Sequence, residues 1–334
     1  TSSLRSTSGT TENWRSMSWY FNADYKYQNR YLLNVVAAMD ASSRFGKEAE
    51  GALKMGGLAW GIFPSVSAGW IVSSEEFMKD ISWLDMLKLK GSWGTLGNQN
   101  LSTAYPAEPL LKNAYSAIFG KPSIIYPGYQ LAYLPNPNLR WEKVEAWEVG
   151  FETNMLRNRL HLEGVFYKKN TKDLLAEVPG ISGTIPGIGN LGEIRNKGFE
   201  LSLSSTNMKQ HNFEWTSNLI FSLNRNKIIT ITGEKYDVFD KDGNFVGQKE
   251  PDDKTNNWFI GQAKDVIWDY KILGTWKIGQ EEEAAKWNQA PGDFRLEDVN
   301  DDGLLTDEDK QFLGYKTPRF SWTLSNTFTL FNDF

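Results

Sequence analysis

The sequence predicts an all-β protein, an antiparallel transmembrane β-barrel segment of about nine strands with long extracellular loops. Three observations lead there. Apolar and polar residues alternate with period two in segment after segment, the pattern of a strand with one greasy and one wet face. The 14 Trp, 13 Tyr and 19 Phe coexist with a negative mean hydropathy, a pairing that fits aromatic girdles around a wet interior or a carbohydrate-binding surface. Short and long connections also alternate along the chain. No run of 18 apolar residues exists, so no transmembrane helix is expected.

The first segment sets Met17, Trp19, Phe21, Ala23, Tyr25 and Tyr27 against Ser18, Asn22, Asp24, Lys26 and Gln28. A turn at Gln28-Asn29-Arg30 leads into Tyr31, Leu33, Val35, Ala37 and Met39, which reads as a hairpin. A loop from Asp40 to about Phe63 precedes Val66, Ala68, Trp70 and Val72, and the link from Ser73 to Met86 reads as a brief helix. Segment four places Leu87, Leu89 and Trp93 opposite Lys88, Lys90 and Ser92. Roughly 45 residues then pass before Trp141, Trp147, Val149 and Phe151 oppose Glu142, Glu148 and Glu152. An Arg157-Asn158 turn opens segment six, where Leu160, Leu162 and Phe166 oppose His161, Glu163, Tyr167 and Lys169. A Gly/Pro-rich loop from Asn170 to Asn196 leads to Phe199, Leu201 and Leu203. The turn Asn207 to Gln210 opens segment eight, with Phe213, Trp215, Leu219, Phe221 and Leu223 on one face. The longest excursion, residues 226–317, ends in Phe320, Trp322, Leu324, Phe328 and Leu330.

Connections between consecutive antiparallel strands fall at alternate ends of a sheet, so every long excursion here lies at one end and every short turn at the other. Outer-membrane barrels have this asymmetry, and soluble sandwiches are not obliged to it. The lipid-facing side is expected to carry Trp19, Phe21, Val35, Val149, Leu201, Phe221 and Trp322. Girdle aromatics are expected at Trp19, Tyr27, Tyr31, Trp93 and Trp141.

Composition removes several classes of function. Without cysteine there is no disulfide framework, zinc ribbon, iron–sulfur cluster or cysteine nucleophile. His161 and His211 are the only imidazoles, no catalytic triad is legible around either, and no catalytic residue is assigned. A formal net charge of -5 argues against a phosphate-binding surface, so nucleic acid is not an expected partner. The chain begins at Thr1 rather than Met and reads as a piece of a longer protein; the absence of a signal peptide therefore says nothing about location.

One local motif is sharp. In residues 298–309, Asp298, Asn300 and Asp302 occupy loop positions one, three and five, Gly303 position six, Leu304 seven, Thr306 nine and Asp309 twelve. That spacing matches the calcium loop of EF-hands, with the Leu304 carbonyl and the Asp309 carboxylate completing an oxygen set for Ca²⁺. Asp rather than Glu at position twelve, and a Pro291-Gly292-Asp293 loop in place of an entering helix, favour a dockerin-like loop over a sensor; the alternative is a turn held by Asx hydrogen bonds. Trp258, Trp268, Tyr270 and Trp276 crowd the longest loop, where they either stack on sugar faces or pack among themselves. The stretch Pro179 to Gly189 lacks the Lys-Ser/Thr of a P-loop and reads as flexible loop, and Glu281-Glu282-Glu283 as a solvated helical turn.

Several blocks resemble one family, in order along nearly the whole chain: Tyr31-Leu32-Leu33-Asn34, Met39-Asp40-Ala41-Ser42-Ser43-Arg44-Phe45-Gly46, Phe63 to Trp70, Ser74 to Met78, and Leu87 to Gly94 with Gly97-Asn98. Asn136 to Glu142, Tyr167 with Thr171 to Leu175, Asn196-Lys197-Gly198-Phe199-Glu200, and Pro291-Gly292-Asp293 with the acidic loop continue it. These resemble SusC/RagA-type TonB-dependent outer-membrane transporters. One departure is Ala38-Met39-Asp40-Ala41-Ser42-Ser43 where the family shows Arg-x-Asp-Gly-Ser-Ser.

The resemblance implies a barrel plugged by an N-terminal domain, energised through TonB and capped by a SusD-like lipoprotein, importing glycan oligosaccharides or peptides across the outer membrane of a Gram-negative bacterium. Residues 1–334 would then form part of that barrel, with the plug domain and final strands outside them, since roughly nine strands do not close a barrel of about 22. Residues 226–317 would form an extracellular loop in which the 298–309 site binds Ca²⁺. The competing readings are a secreted carbohydrate-binding β domain with a calcium loop, a SusC-like barrel recruited as a structural subunit of an outer-membrane complex, and a glycoside hydrolase, which needs a placed carboxylate pair. A need for detergent in extraction separates a barrel in the lipid bilayer from a secreted domain.

Overall fold

The computed structural model describes residues 11–101, 103–119, 124–178 and 185–331, with backbone alone over 113–119 and 124–127. Its strands are β1 (Ser16–Tyr27), β2 (Tyr31–Ser42), β3 (Leu53–Met55), β4 (Leu58–Ile71), β5 (Leu84–Asn98), β6 (Leu111–Phe119), β7 (Ile124–Leu131), β8 (Glu142–Met155), β9 (Leu160–Val178), β10 (Gly187–Gln210) and β11 (Phe213–Thr230). Then come β12 (Tyr236–Phe239), β13 (Phe245–Lys249), β14 (Val266–Tyr270), β15 (Ile272–Thr275), α1 (Glu281–Ala285), β16 (Phe294–Leu296), β17 (Lys310–Tyr315) and β18 (Phe320–Leu330). One sheet runs β1-β2-β4-β5-β8-β9-β10-β11-β18, with β3 beside β4, and four two-stranded sheets accompany it. The chain divides into two compact units, Leu223–Ser321 and the remainder.

The nine-strand path agrees with the antiparallel order read from periodicity, and the register shows why. Phe21 pairs with Ala37, Val66 with Trp93, Leu89 with Phe151, Val149 with Phe166, and Phe166 with Phe199, so the apolar positions of successive strands share one face. Trp19, Phe21, Val149, Phe166 and Trp322 are each more than half exposed there. Val35 is also exposed, whereas Leu201 and Phe221 are half-buried. So many bare apolar side chains on one sheet face make an outer belt rather than half of a sandwich core.

Turn chemistry closes the short end. Gln28 and Asn29 hold φ of 49° and 57°, the left-handed pair of a tight hairpin, and the Arg30 N–H donates to the Tyr27 carbonyl at 3.0 Å. Aromatics mark the same border, where Tyr31 stacks between Tyr27 and Trp70 with centroids 6.4 and 6.5 Å away. The link expected as a brief helix is instead two 3₁₀ turns, Val72–Ser74 and Glu76–Met78. Glu75 between them accepts from the Tyr31 hydroxyl at 2.8 Å, the Trp70 indole at 3.0 Å and Arg30 at 3.0 Å, fixing a shape that no helix period encodes.

Four stretches differ from the sequence reading. The 40–63 loop is shorter, because Leu58 to Phe63 already pair with β2 or β3. Alternation fails there because both faces are covered: Phe45, Phe63, Leu139 and Trp141 form a buried cluster, which draws Trp141 out of its expected girdle position. The Gly/Pro-rich 170–196 segment is mostly ladder, with Thr171 opposite Ile194 and Leu175 opposite Asn190; the part of the 179–189 stretch at 179–184 lies outside the described residues. The interval before Trp141 contains the β6–β7 hairpin. Turn eight falls after Gln210 rather than at Asn207.

Candidate functional site

The polar face of the sheet is built by the same register that exposes the apolar one. Asn34, Ser67, Ser92, Glu148 and Tyr167 succeed one another across β2, β4, β5, β8 and β9. Lys88 pairs with Glu152 at 3.7 Å and Lys169 with Glu148 at 3.3 Å, while Lys90 crosses to Glu163 two strands away. Ion pairing across neighbouring strands keeps this face hydrated yet nearly neutral. A shallow cavity of about 540 Å³ lies on it, lined by Asn34, Ser67, Lys88, Lys90, Ser92 and Glu148 among others. Tyr167 packs against Gly198, where a Cβ would stand 2.3 Å from its phenol ring.

The Leu223–Ser321 unit has its own small core of Phe259, Ala263 and Val266, with Trp268 packed against it. The four aromatic residues singled out from sequence all lie in this unit, and each has a cation over its ring. Lys264 stands 5.9 Å from the Trp258 centroid, Arg295 5.6 Å from Trp276, and Lys310 5.2 Å from Tyr270. Trp268 has two, Lys254 at 5.7 Å and Lys310 at 5.4 Å, plus the Phe259 edge at 4.9 Å. Trp276 is buried, and its indole donates to Gln289 Oε1 at 2.6 Å. Trp258 and Tyr270 are half-buried with one cation each.

The acidic loop closes on itself. Asp298 Oδ2 accepts from the Gly303 N–H at 2.9 Å, Asn300 Oδ1 from Asp302 at 3.1 Å, and Asp302 Oδ1 from Leu304 at 2.8 Å. Asp309 is fully buried; its carboxylate accepts the N–H groups of Thr306 at 2.8 Å and Val299 at 2.9 Å, which hold it below the usual carboxylate range. The Asp298 carboxyl lies beside it, and Asp298 Oδ1 is buried without a hydrogen-bond partner. Among the described residues no three Asp, Glu or His side chains converge as a ligand set.

Sequence reasoning missed Glu250. This buried carboxylate accepts from the Thr230 hydroxyl and from three successive N–H groups, Ile231 at 2.7 Å, Thr232 at 2.5 Å and Gly233 at 2.9 Å. Burial opposes its ionisation, but the Thr230 hydroxyl and these N–H groups outweigh burial and lower its pKa. No local pattern marks it, because its partners lie about 20 residues earlier.

An antiparallel wall that is apolar outside, ion-paired inside and long-looped at one end defines a membrane β-barrel. The chain belongs to the TonB dependent receptor-like, beta-barrel family, which it matches over residues 1–331. This is a family of outer-membrane barrels. TonB-dependent receptor P26 of Formosa agariphila is 32% identical over 319 residues, covering 94% of this chain and 30% of that protein. TonB-dependent receptor SusC of Bacteroides thetaiotaomicron is 32% identical over 225 residues, 65% of this chain and 21% of SusC. In fold, a chain of the RagAB peptide transporter superposes with a TM-score of 0.69 at 20% identity, covering 95% of this chain and 32% of that one. The chain therefore spans about a third or less of the length of the relatives it matches. The curated relatives are named receptors, in line with the SusC/RagA-type resemblance read from the sequence blocks.

Proposed function

We propose that this chain is part of the wall and outer loops of an outer-membrane, TonB-dependent importer that takes up glycan oligosaccharides or peptides together with a SusD-like lipoprotein. The observation that carries the reading is the partition of one continuous sheet into a bare apolar face and an ion-paired polar face. The mechanism is binding and gating with no covalent chemistry, and TonB engages a region outside these residues. Trp258, Trp268 and Tyr270 are the loop rings assigned to substrate contact, since each is only half-buried, whereas Trp276 is buried in packing. Deleting the full-length gene and restoring it in strains with and without a SusD-like lipoprotein gene tests this. Growth on one glycan or peptide source should require both; unchanged growth and no co-purifying lipoprotein would reject the importer.

Calcium in the 298–309 loop belongs to the same reading, with Asp298, Asn300, Asp302, the Leu304 carbonyl, Thr306 and Asp309 as oxygen donors. The buried Asp298 Oδ1, which no hydrogen-bond donor reaches, beside the buried Asp309 carboxylate supports it, because closely set carboxylate oxygens are the donors that Ca²⁺ takes. Calcium titration of the full-length protein should raise its thermal midpoint; no shift and no bound ion would remove the site.

A further inference from the structure

The short-turn end of the sheet carries a basic groove separate from the polar-face cavity described above. About 650 Å³ in volume, it is lined by Trp83, Leu156, Arg157, Arg159, Ser205 and Asn207 among others. Its walls are pinned from both sides. The Leu156 N–H donates to the Trp83 carbonyl at 2.8 Å, the Asn158 N–H to Asp85 Oδ2 at 2.8 Å, and the Thr206 N–H to the Arg159 carbonyl at 2.7 Å. Leu156, Arg157 and Asn158 hold φ of 57°, 60° and 58°, three consecutive left-handed residues that persist only where neighbours fix them. Arg157 and Arg159 are exposed, and neither forms an ion pair among the described residues.

The groove opens on the apolar face. Ser205 pairs with Leu160 and Leu160 with Met155, in register with Leu203, Leu162 and Val149. Beside it that face ends in a row of polar groups. Ser205 donates to Asn207 at 2.9 Å, Asn207 to Ser217 at 2.6 Å, and Ser217 and the Trp215 indole both to Asn326 Oδ1, at 2.6 and 3.1 Å. Indole, amide and hydroxyl groups satisfying one another on a hydrocarbon-facing surface mark the depth at which acyl chains give way to headgroups. The anion that lies at that depth is a lipid phosphate, and guanidinium is the side chain that grips phosphate with paired donors.

We infer that Arg157 and Arg159 bind the phosphodiester of an anionic glycerophospholipid in the leaflet at the short-turn side, with Trp83 and Leu156 against its glycerol and upper acyl carbons. The inference rests on the membrane-wall reading above. The test uses the full-length protein, purified in detergent and titrated with phosphatidylglycerol, with retained lipid counted by native mass spectrometry. Wild type should retain phosphatidylglycerol at least fivefold better than R157Q/R159Q, and inorganic phosphate should not displace it. Equal retention by the variant, or displacement by inorganic phosphate, overturns the lipid site while leaving the barrel intact. Failure of wild type to insert into vesicles of phosphatidylglycerol or phosphatidylcholine overturns the membrane wall itself, and the lipid site with it.

Discussion

The Lys90 ammonium on β5 reaches across Gly150 of β8 to the carboxylate of Glu163 on β9. Gly150 sits directly opposite Lys90, and a Cβ there would stand 3.2 Å from Lys90 Cε and 2.5 Å from the Gly164 carbonyl oxygen. The missing side chain lets one ion pair span three strands, tying together sheet elements that share no direct ladder.

Gly150→Ala should therefore cost more than an ordinary strand substitution. The contact with the Gly164 carbonyl is with backbone and relieves only by moving β9, a strain of about 1–3 kcal/mol. Thermal unfolding of the full-length protein in detergent measures it. A double-mutant cycle on Lys90→Met and Glu163→Gln should return a coupling no larger than about 1 kcal/mol, because both side chains remain partly hydrated.

The two sheet faces should respond oppositely to charge. Val149→Lys places an ammonium in the apolar belt and should cost about 2–4 kcal/mol of folding into bilayers. Ser92→Lys, opposite Glu148 on the polar face, should be near neutral. Equal losses in a liposome-folding titration would count against the belt.

Glu250 should make the Leu223–Ser321 unit acid-sensitive. Its folded pKa lies below that of an ordinary glutamate, so its stabilising contribution is complete above the ordinary glutamate range. That contribution should fade as pH falls below the ordinary glutamate range toward the depressed folded value. Limited proteolysis at pH 7 and at progressively lower pH should show cleavage in the unit appearing only on acidification. Glu250→Gln should open it at pH 7, at a cost of about 1–3 kcal/mol, by removing the anion on which three N–H groups converge.

Asp309→Asn should abolish any calcium-dependent stabilisation, because this buried carboxylate faces the partnerless Asp298 oxygen. With calcium at a hundredfold its dissociation constant the wild type gains about 2.7 kcal/mol, and the variant should gain none. Differential scanning calorimetry with calcium and with chelator reads the difference.

By itself the sequence determined where most of the wall strands run and which face many of their residues present, because period-two alternation is local: Trp19, Phe21 and Val149 could be placed outward without knowing a neighbour. The acidic loop was legible for the same reason, being twelve consecutive residues at fixed spacing. Register was decided only by tertiary structure. Alternation in β5, β8 and β9 says nothing of Lys90 meeting Gly150 and then Glu163, nor does the run 230–233 announce that Glu250 will cap it. The strands continuing through 170–178 and 187–196 were hidden because glycine and polar residues there satisfy ladder hydrogen bonds without displaying a greasy face. Likewise the cations over Trp258, Trp268, Tyr270 and Trp276 come from other strands and turns, where folding alone brings charge and ring together.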